Sequence, residues 1–192
     1  MTTRLPNADH TDRPWRIHEV APDFQVEDVW ALPTPGGPDD FGHLVRAMAS
    51  GNPSGNRHSV VVRTLFAIRW KAGELLGWDK PDAPRPTLRD RLPADLREAT
   101  GPAFDSLPFE PLYLLDDEFA AELANRTMHG ILHLGWVPDG NGGYRGQLAV
   151  LVKRNGLFGS AYMAAIKPFR HLLVYPMMMR QLERTWRQGA RT

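Results

Sequence analysis

His129 and His133 stand four residues apart, a spacing that on an α-helix sets two imidazoles on one face about one turn apart, as a zinc site requires. The residues around them alternate with a period of two, which describes a strand. At about 3.3 Å per residue the pair would lie roughly 13 Å apart, too far to share an ion. No glutamate follows His129, so the metalloprotease arrangement also fails, and no metal site is expected.

Other candidates dissolve in the same way. Gly140, Gly142 and Gly143 invite comparison with a phosphate-binding loop, but they separate two alternating segments with no helix after them, which describes a hairpin turn. Ser160 lacks the flanking glycine spacing and the strand-to-helix turn of a nucleophile elbow. Asp116, Asp117 and Glu118 precede an apolar Phe119-Ala-Ala and read as acids opening a helix. Arg180, Arg184 and Arg187, with Glu183 among them, read as the solvated face of a helix. The catalytic residues stay unknown.

Two groups keep chemical interest. Met177, Met178 and Met179 are flexible and polarizable, suited either to core filling or to an adaptable apolar surface. Trp136, Tyr144 and Tyr162 fall on strand positions expected to face inward. Each offers an apolar body with a polar tip, which suits a packed core and a ligand pocket alike.

The elements that must position these residues follow from periodicity. Met128, Gly130, Leu132, Leu134 and Trp136 form an apolar parity, and Thr127, His129, Ile131, His133 and Gly135 the other. After the turn, Tyr144, Gly146, Leu148, Val150 and Val152 repeat the apolar parity, and pairing Trp136 with Tyr144 makes the two apolar faces coincide. A third strand follows at Ser160 to Ile166, with the Tyr162 side inward. Leu172, Tyr175, Met179, Leu182 and Trp186 then recur at three-four spacing, the stripe of a long amphipathic helix that either kinks at Pro176 or begins its regular part there.

Upstream, Trp15 to Trp30 reads as a short strand followed by the breaking segment Ala31 to Asp39. Phe41 to Ser50 reads as a helix capped by Asp39 or Asp40, and Val60 to Leu76 as another. Seven prolines between Asp79 and Pro111 mark an excursion whose amphipathic piece, Leu88 to Thr100, is expected to pack across the main body as a cover. Residues 1–14 are expected to be a disordered tail without the apolar segment of a secretory signal.

Composition narrows the class. The chain has 192 residues, 23 basic against 22 acidic side chains and a net charge of +1, so no long-range field favours nucleic acid. No apolar stretch is long enough for a membrane span. The absence of cysteine excludes thiolate sites and disulfides, and the expected location is cytoplasmic.

With the residues laid out, the chain resembles a bacterial family known as domain of unknown function 2867. The likeness rests on Leu88-Arg-Asp-Arg-Leu-Pro-Ala-Asp-Leu96, on Asn125-Arg-Thr-Met-His129 with Leu134-Gly-Trp136, on Gly142-Gly-Tyr-Arg-Gly146, and on Tyr162 through Pro168-Phe-Arg-His171. That family looks like a branch of the START or Bet v 1-like superfamily, also called SRPBCC. The resemblance implies an α+β helix-grip fold, in which a curved antiparallel sheet packs on a long C-terminal helix, as one domain over residues 15–188 with the excursion at about 79–111.

It also implies a small hydrophobic ligand between sheet and helix, with Trp136, Tyr144, Tyr162 and Met179 lining the space; no cofactor is expected. Two alternatives share the fold. One is a cyclase- or dehydratase-type enzyme using Tyr162, Tyr144 or His129 as acid or base. The other is a non-catalytic interaction or dimerisation domain.

Overall fold

The computed structural model describes residues 3–50, 87–105, 107–124, 128–154, 171 and 175–189. The expected helix at 60–76, the strand at 160–166 with Tyr162, and Leu172 lie outside the described residues.

The alternating segments build a six-stranded sheet. Its strands are β1 (Thr3–Leu5), β2 (Gln25–Ala31), β3 (Glu110–Leu114), β4 (Glu118–Ala124), β5 (Met128–Pro138) and β6 (Tyr144–Arg154). They lie in the order β1-β2-β6-β5-β4-β3, and every neighbouring pair is antiparallel. The described helices are α1 (Ala8–Thr11), α2 (Ile17–Val20), α3 (Phe41–Ala49), α4 (Ala94–Glu98) and α5 (Tyr175–Gly189), with a 3-10 turn at Arg89–Arg91.

The β5–β6 hairpin has the expected parity and a different register. Trp136 faces Gly146, Leu134 faces Leu148 and Leu132 faces Val150, while Tyr144 pairs with Pro138. β5 extends two residues closer to the turn than anticipated. Asp139 makes this possible, because its backbone N–H donates to the Gly143 carbonyl and its carboxylate accepts from the amides of Asn141 and Gly143. Gly140 and Gly142 take φ of 83° and 87°, the left-handed region that a glycine enters without strain. A shift of two preserves every side chain's face.

Each face of the sheet is covered. On the helix face, Leu132, Leu134, Trp136 and Leu148 join Phe119, Ala121 and Leu32 against α3 and α5. Helix α3 supplies Phe41, Leu44, Val45 and Met48, and α5 supplies Tyr175, Met179, Leu182 and Trp186, as their three-four spacing predicts. Arg180, Arg184 and Arg187 of α5 are exposed. Asp40 precedes α3 without capping it; its carboxylate turns back to accept from the Gly37 amide.

The N-terminal face is buried and largely apolar as well. It is covered by α1, α2 and the 3-10 turn with α4, whose Ile17, Val20, Phe24, Leu88, Leu92 and Leu96 pack on Ile131, Ala149 and Leu151. The excursion is thus a cover in its described part, lying across the face opposite to α5.

The expected disordered tail is likewise corrected. Thr3–Leu5 pairs with Val29–Ala31 of β2, and His10 is 0% exposed. The anticipated helix start at Asp116 is instead a tight connection between β3 and β4, where the Leu115 amide donates to the Glu118 carbonyl.

Gly135 shows how closely the N-terminal segment approaches. A Cβ there would sit 2.7 Å from two atoms of the Trp15 indole, whose ring lies directly on the strand. Gly135→Ala is expected to cost about 1–3 kcal/mol through overpacking, read as a lower urea midpoint at unchanged slope.

Candidate functional site

Two polar clusters are buried against opposite faces of the sheet, and they differ in what they leave available.

The N-terminal face carries two acid–histidine pairs built on one geometric rule. Glu118 and Glu122 share a parity on β4, and His129 and His133 share the facing parity on β5. The register places Ala120 opposite His133 and Ala124 opposite His129, so each acid reaches a histidine on the diagonal. His133 Nε2 lies 3.0 Å from Glu118 Oε1, and His129 Nε2 lies 2.6 Å from Glu122 Oε2.

Both carboxylates also receive donors from the covering segments. Glu118 accepts from the backbone amides of Arg16 (2.8 Å) and Ile17 (2.9 Å), at the start of α2, and from the Tyr113 hydroxyl (2.5 Å). Glu122 accepts from the Thr87 hydroxyl (2.6 Å) and the Leu88 amide (3.0 Å), where the 3-10 turn begins. Helix starts leave amide hydrogens without intrahelical partners, and these two carboxylates supply them.

The electrostatics follow from that wiring. Burial alone pushes both carboxyls up, but the histidine and its accompanying donors outweigh it, and each ends below the usual glutamate range. Burial, then the neighbouring Glu118 charge, pushes the Tyr113 hydroxyl far above its ordinary value, so it remains a donor. His10 Nε2 lies 3.2 Å from His133 Nδ1, extending the chain. Burial first, then His133 and His18, drives His10 down to about 2, so it stays neutral.

Four donors fill the acceptor sites of Glu118, and three engage Glu122, whose carboxyl is held below the usual glutamate range, so neither is arranged as a base for a substrate. The pairs fasten the N-terminal segment and the excursion to the sheet. His129 is fully engaged here, and the sheet separates it from Tyr144 on the helix face.

The helix face holds a different arrangement. A register shift between Val26 and Asp28 of β2 turns Asp28 onto this face, opposite Val150 and 0% exposed. The Tyr175 hydroxyl, from the first described turn of α5, donates to Asp28 Oδ2 at 3.1 Å. His171 Nε2 approaches Oδ1 at 2.8 Å, and Arg4 reaches in from β1 at 3.5 Å.

Trp30 lies two residues further on the same face, its ring 4.8 Å from that of Tyr175 and 5.8 Å from that of His171. Its indole Nε1–H is buried with no hydrogen-bond partner. The rest of the wall is apolar, with Leu132 buried and Val150 and Met178 half-buried. A carboxylate, an imidazole and a phenol within an aromatic and aliphatic wall can fix the polar end of a mostly apolar molecule.

Of the residues anticipated from sequence, three meet in the helix-face cluster. Trp136, 4% exposed, donates from Nε1 to the Gly37 carbonyl at 2.9 Å and touches the rings of Phe41 and Trp186. Met179, 1% exposed, lies in the same cluster, and Tyr144 packs half-buried at its edge beside Gly36. Tyr162 lies outside the described residues.

Asp28, Trp30, His171 and Tyr175 were not singled out from the sequence as site residues. A signal existed for Asp28 alone, an acid between Val26 and Trp30 in a β-rich stretch, but the bulge that decides its face leaves no sequence mark. Among the described residues, no group of three or more histidines and acids is placed to hold a metal. No described helix is long and apolar enough to cross a membrane.

Comparison with known proteins finds one family: the profile described as Protein of unknown function (DUF2867) matches residues 20–177. No curated protein and no solved structure matches the chain.

Proposed function

The chain belongs to the DUF2867 family, and we propose that it binds a small, largely apolar ligand between the helix face of the sheet and α5, as one helix-grip domain of the START or Bet v 1-like type. The observation that carries this reading is the Asp28–Tyr175–His171 cluster beside an unpartnered Trp30 Nε1–H. Buried polar groups are normally satisfied within the protein, and a free indole donor beside a buried acid is the feature of a wall that orients a guest.

On this reading the polar end of the ligand carries an acceptor for Trp30 Nε1–H, and its apolar body runs along Leu132, Val150 and Met178. Trp136, Tyr144 and Met179 shape the far end. Binding without reaction is the function proposed: Asp28 accepts from the Tyr175 hydroxyl and lies within ion-pair distance of His171 and Arg4.

Native mass spectrometry of freshly purified protein is expected to show a bound hydrophobic molecule that mild organic extraction removes. An added naphthyl dye should then bind with a rise in fluorescence. Met178→Trp, which puts a larger side chain on this wall, should abolish dye binding with the thermal midpoint preserved. Trp30→Ala should weaken dye binding about tenfold or more, the loss of roughly 1.4 kcal/mol. A crystal structure with this interface solidly packed, together with no dye binding, would refute the reading.

A further inference from the structure

The N-terminal face holds three polar atoms that neither the acid–histidine pairs nor the ligand wall uses. His10 Nδ1, Trp15 Nε1 and Gln147 Oε1 are all buried without a hydrogen-bond partner. Their side chains are 0%, 6% and 1% exposed, so bulk solvent does not serve them. Leaving such groups unpaired costs roughly 1–3 kcal/mol each, and three together in one region demand an explanation.

They belong to one neighbourhood. The Trp15 indole lies on Gly135, and Gly135 is the cross-strand partner of Gln147. Gln147 Nε2 donates to the carbonyl of Asp9, the residue before His10, at 3.3 Å. The rings of His10 and Trp15 are 6.4 Å apart, and both contact the ring of His133.

The hydrogen-bond roles are set by the chain of partners. Glu118 Oε1 accepts from His133 Nε2–H, and the other ring nitrogen of His133, Nδ1, faces His10 Nε2 at 3.2 Å with one hydrogen between them. When His10 Nε2 supplies that hydrogen its Nδ1 carries a lone pair, and when His133 supplies it the Nδ1 of neutral His10 carries a hydrogen. Gln147 spends its amide hydrogen on Asp9 and presents its carbonyl. Trp15 can only donate. Trp15 donates, Gln147 accepts and His10 Nδ1 takes either role, a set that a molecule with two hydrogens and two lone pairs completes in both arrangements.

We propose that His10, Trp15 and Gln147 form a buried hydration site beneath the N-terminal segment, holding one long-lived water molecule. The water accepts from Trp15 Nε1–H, donates to Gln147 Oε1 and bonds His10 Nδ1 in whichever role that nitrogen leaves open, three bonds being typical of an internal water. It joins α1, the segment before α2 and β6 at a point where no side chain completes the contact.

A high-resolution crystal structure is expected to show a well-ordered peak within about 2.7–3.2 Å of all three atoms. In solution, the Trp15 indole N–H should give a cross-peak to water with the sign of long residence, assigned by its disappearance in Trp15→Phe. That variant keeps an aromatic ring at position 15 and removes the donor. Water relaxation dispersion should count one fewer long-lived water in Gln147→Leu than in the native chain. Density showing the three atoms bonded to protein groups, or a native count unchanged by Gln147→Leu in a folded variant, would overturn the site.

Discussion

Glu118→Ala is expected to destabilise the fold by about 3–5 kcal/mol, the range for removing one member of a buried, hydrogen-bonded ionic pair. The size follows from what the carboxylate leaves behind. The Tyr113 hydroxyl, His133 Nε2–H and the amides of Arg16 and Ile17 all lose an acceptor while remaining under the N-terminal segment. An alanine also leaves a space among them that nothing else in the structure fills.

The loss should be spatially patterned. Amide hydrogen exchange is expected to rise first across residues 8–24, since Glu118 holds the start of α2, while the β5–β6 hairpin keeps its protection until global unfolding. Glu122→Ala should instead loosen residues 87–99, because Glu122 receives the Thr87 hydroxyl and the Leu88 amide. A uniform rise throughout the chain in either variant would contradict the assignment of one carboxylate to each covering segment. Glu118→Gln tests the geometry: an amide retains one acceptor oxygen but brings two hydrogens toward donors already present, so it should recover only part of the loss.

How far the sequence reveals this arrangement depends on whether the determining interaction is local. The parity of β5 and β6 is legible because alternation is a property of the strand itself, and Leu132, Leu134, Trp136 and Leu148 share a face as expected. The stripe Tyr175, Met179, Leu182 and Trp186 is legible for the same reason. The hairpin register is less so, since the turn that sets it depends on Asp139 accepting from two particular amides.

What local pattern cannot show is which distant segment satisfies a buried polar group. Glu118 sits in an acidic run suited to opening a helix, and it does serve a helix start, that of α2, about a hundred residues earlier in the chain. His10 looks like one polar residue among many until β5 supplies His133. The four-residue spacings of Glu118 with Glu122 and of His129 with His133 were open to view, yet they acquire meaning only once β4 and β5 are known to be neighbours. On the helix face, Asp28 becomes a site residue through a bulge and through Tyr175, both products of tertiary structure.

The stability of the chain should fall as pH drops below about 6.5, with His10 contributing a slope of about 1.4 kcal/mol per pH unit. Its folded-state value is about 2 against 6.5 for an exposed histidine, first through burial and then through His133 and His18. Between those limits the unfolded chain holds one more proton at position 10 than the folded chain, so stability rises with pH and is lost on acidification. Below about 4.5 the two carboxylates add to the slope. Glu118 and Glu122 lie under their ordinary values when folded, so their contribution is present above that pH and disappears as pH falls through the depressed folded values. His10→Phe separates the two regimes: it keeps a ring beside Trp15 and removes the proton site. Urea titrations at pH 7 and pH 5 should show a native difference of about 2 kcal/mol from His10 that is absent in the variant. The steeper loss below pH 4.5 should survive, because the carboxylates that cause it still hold α2 and the 3-10 turn. Equal pH slopes for native and His10→Phe between pH 7 and 5 would mean that the imidazole is reached by a proton without the N-terminal segment opening.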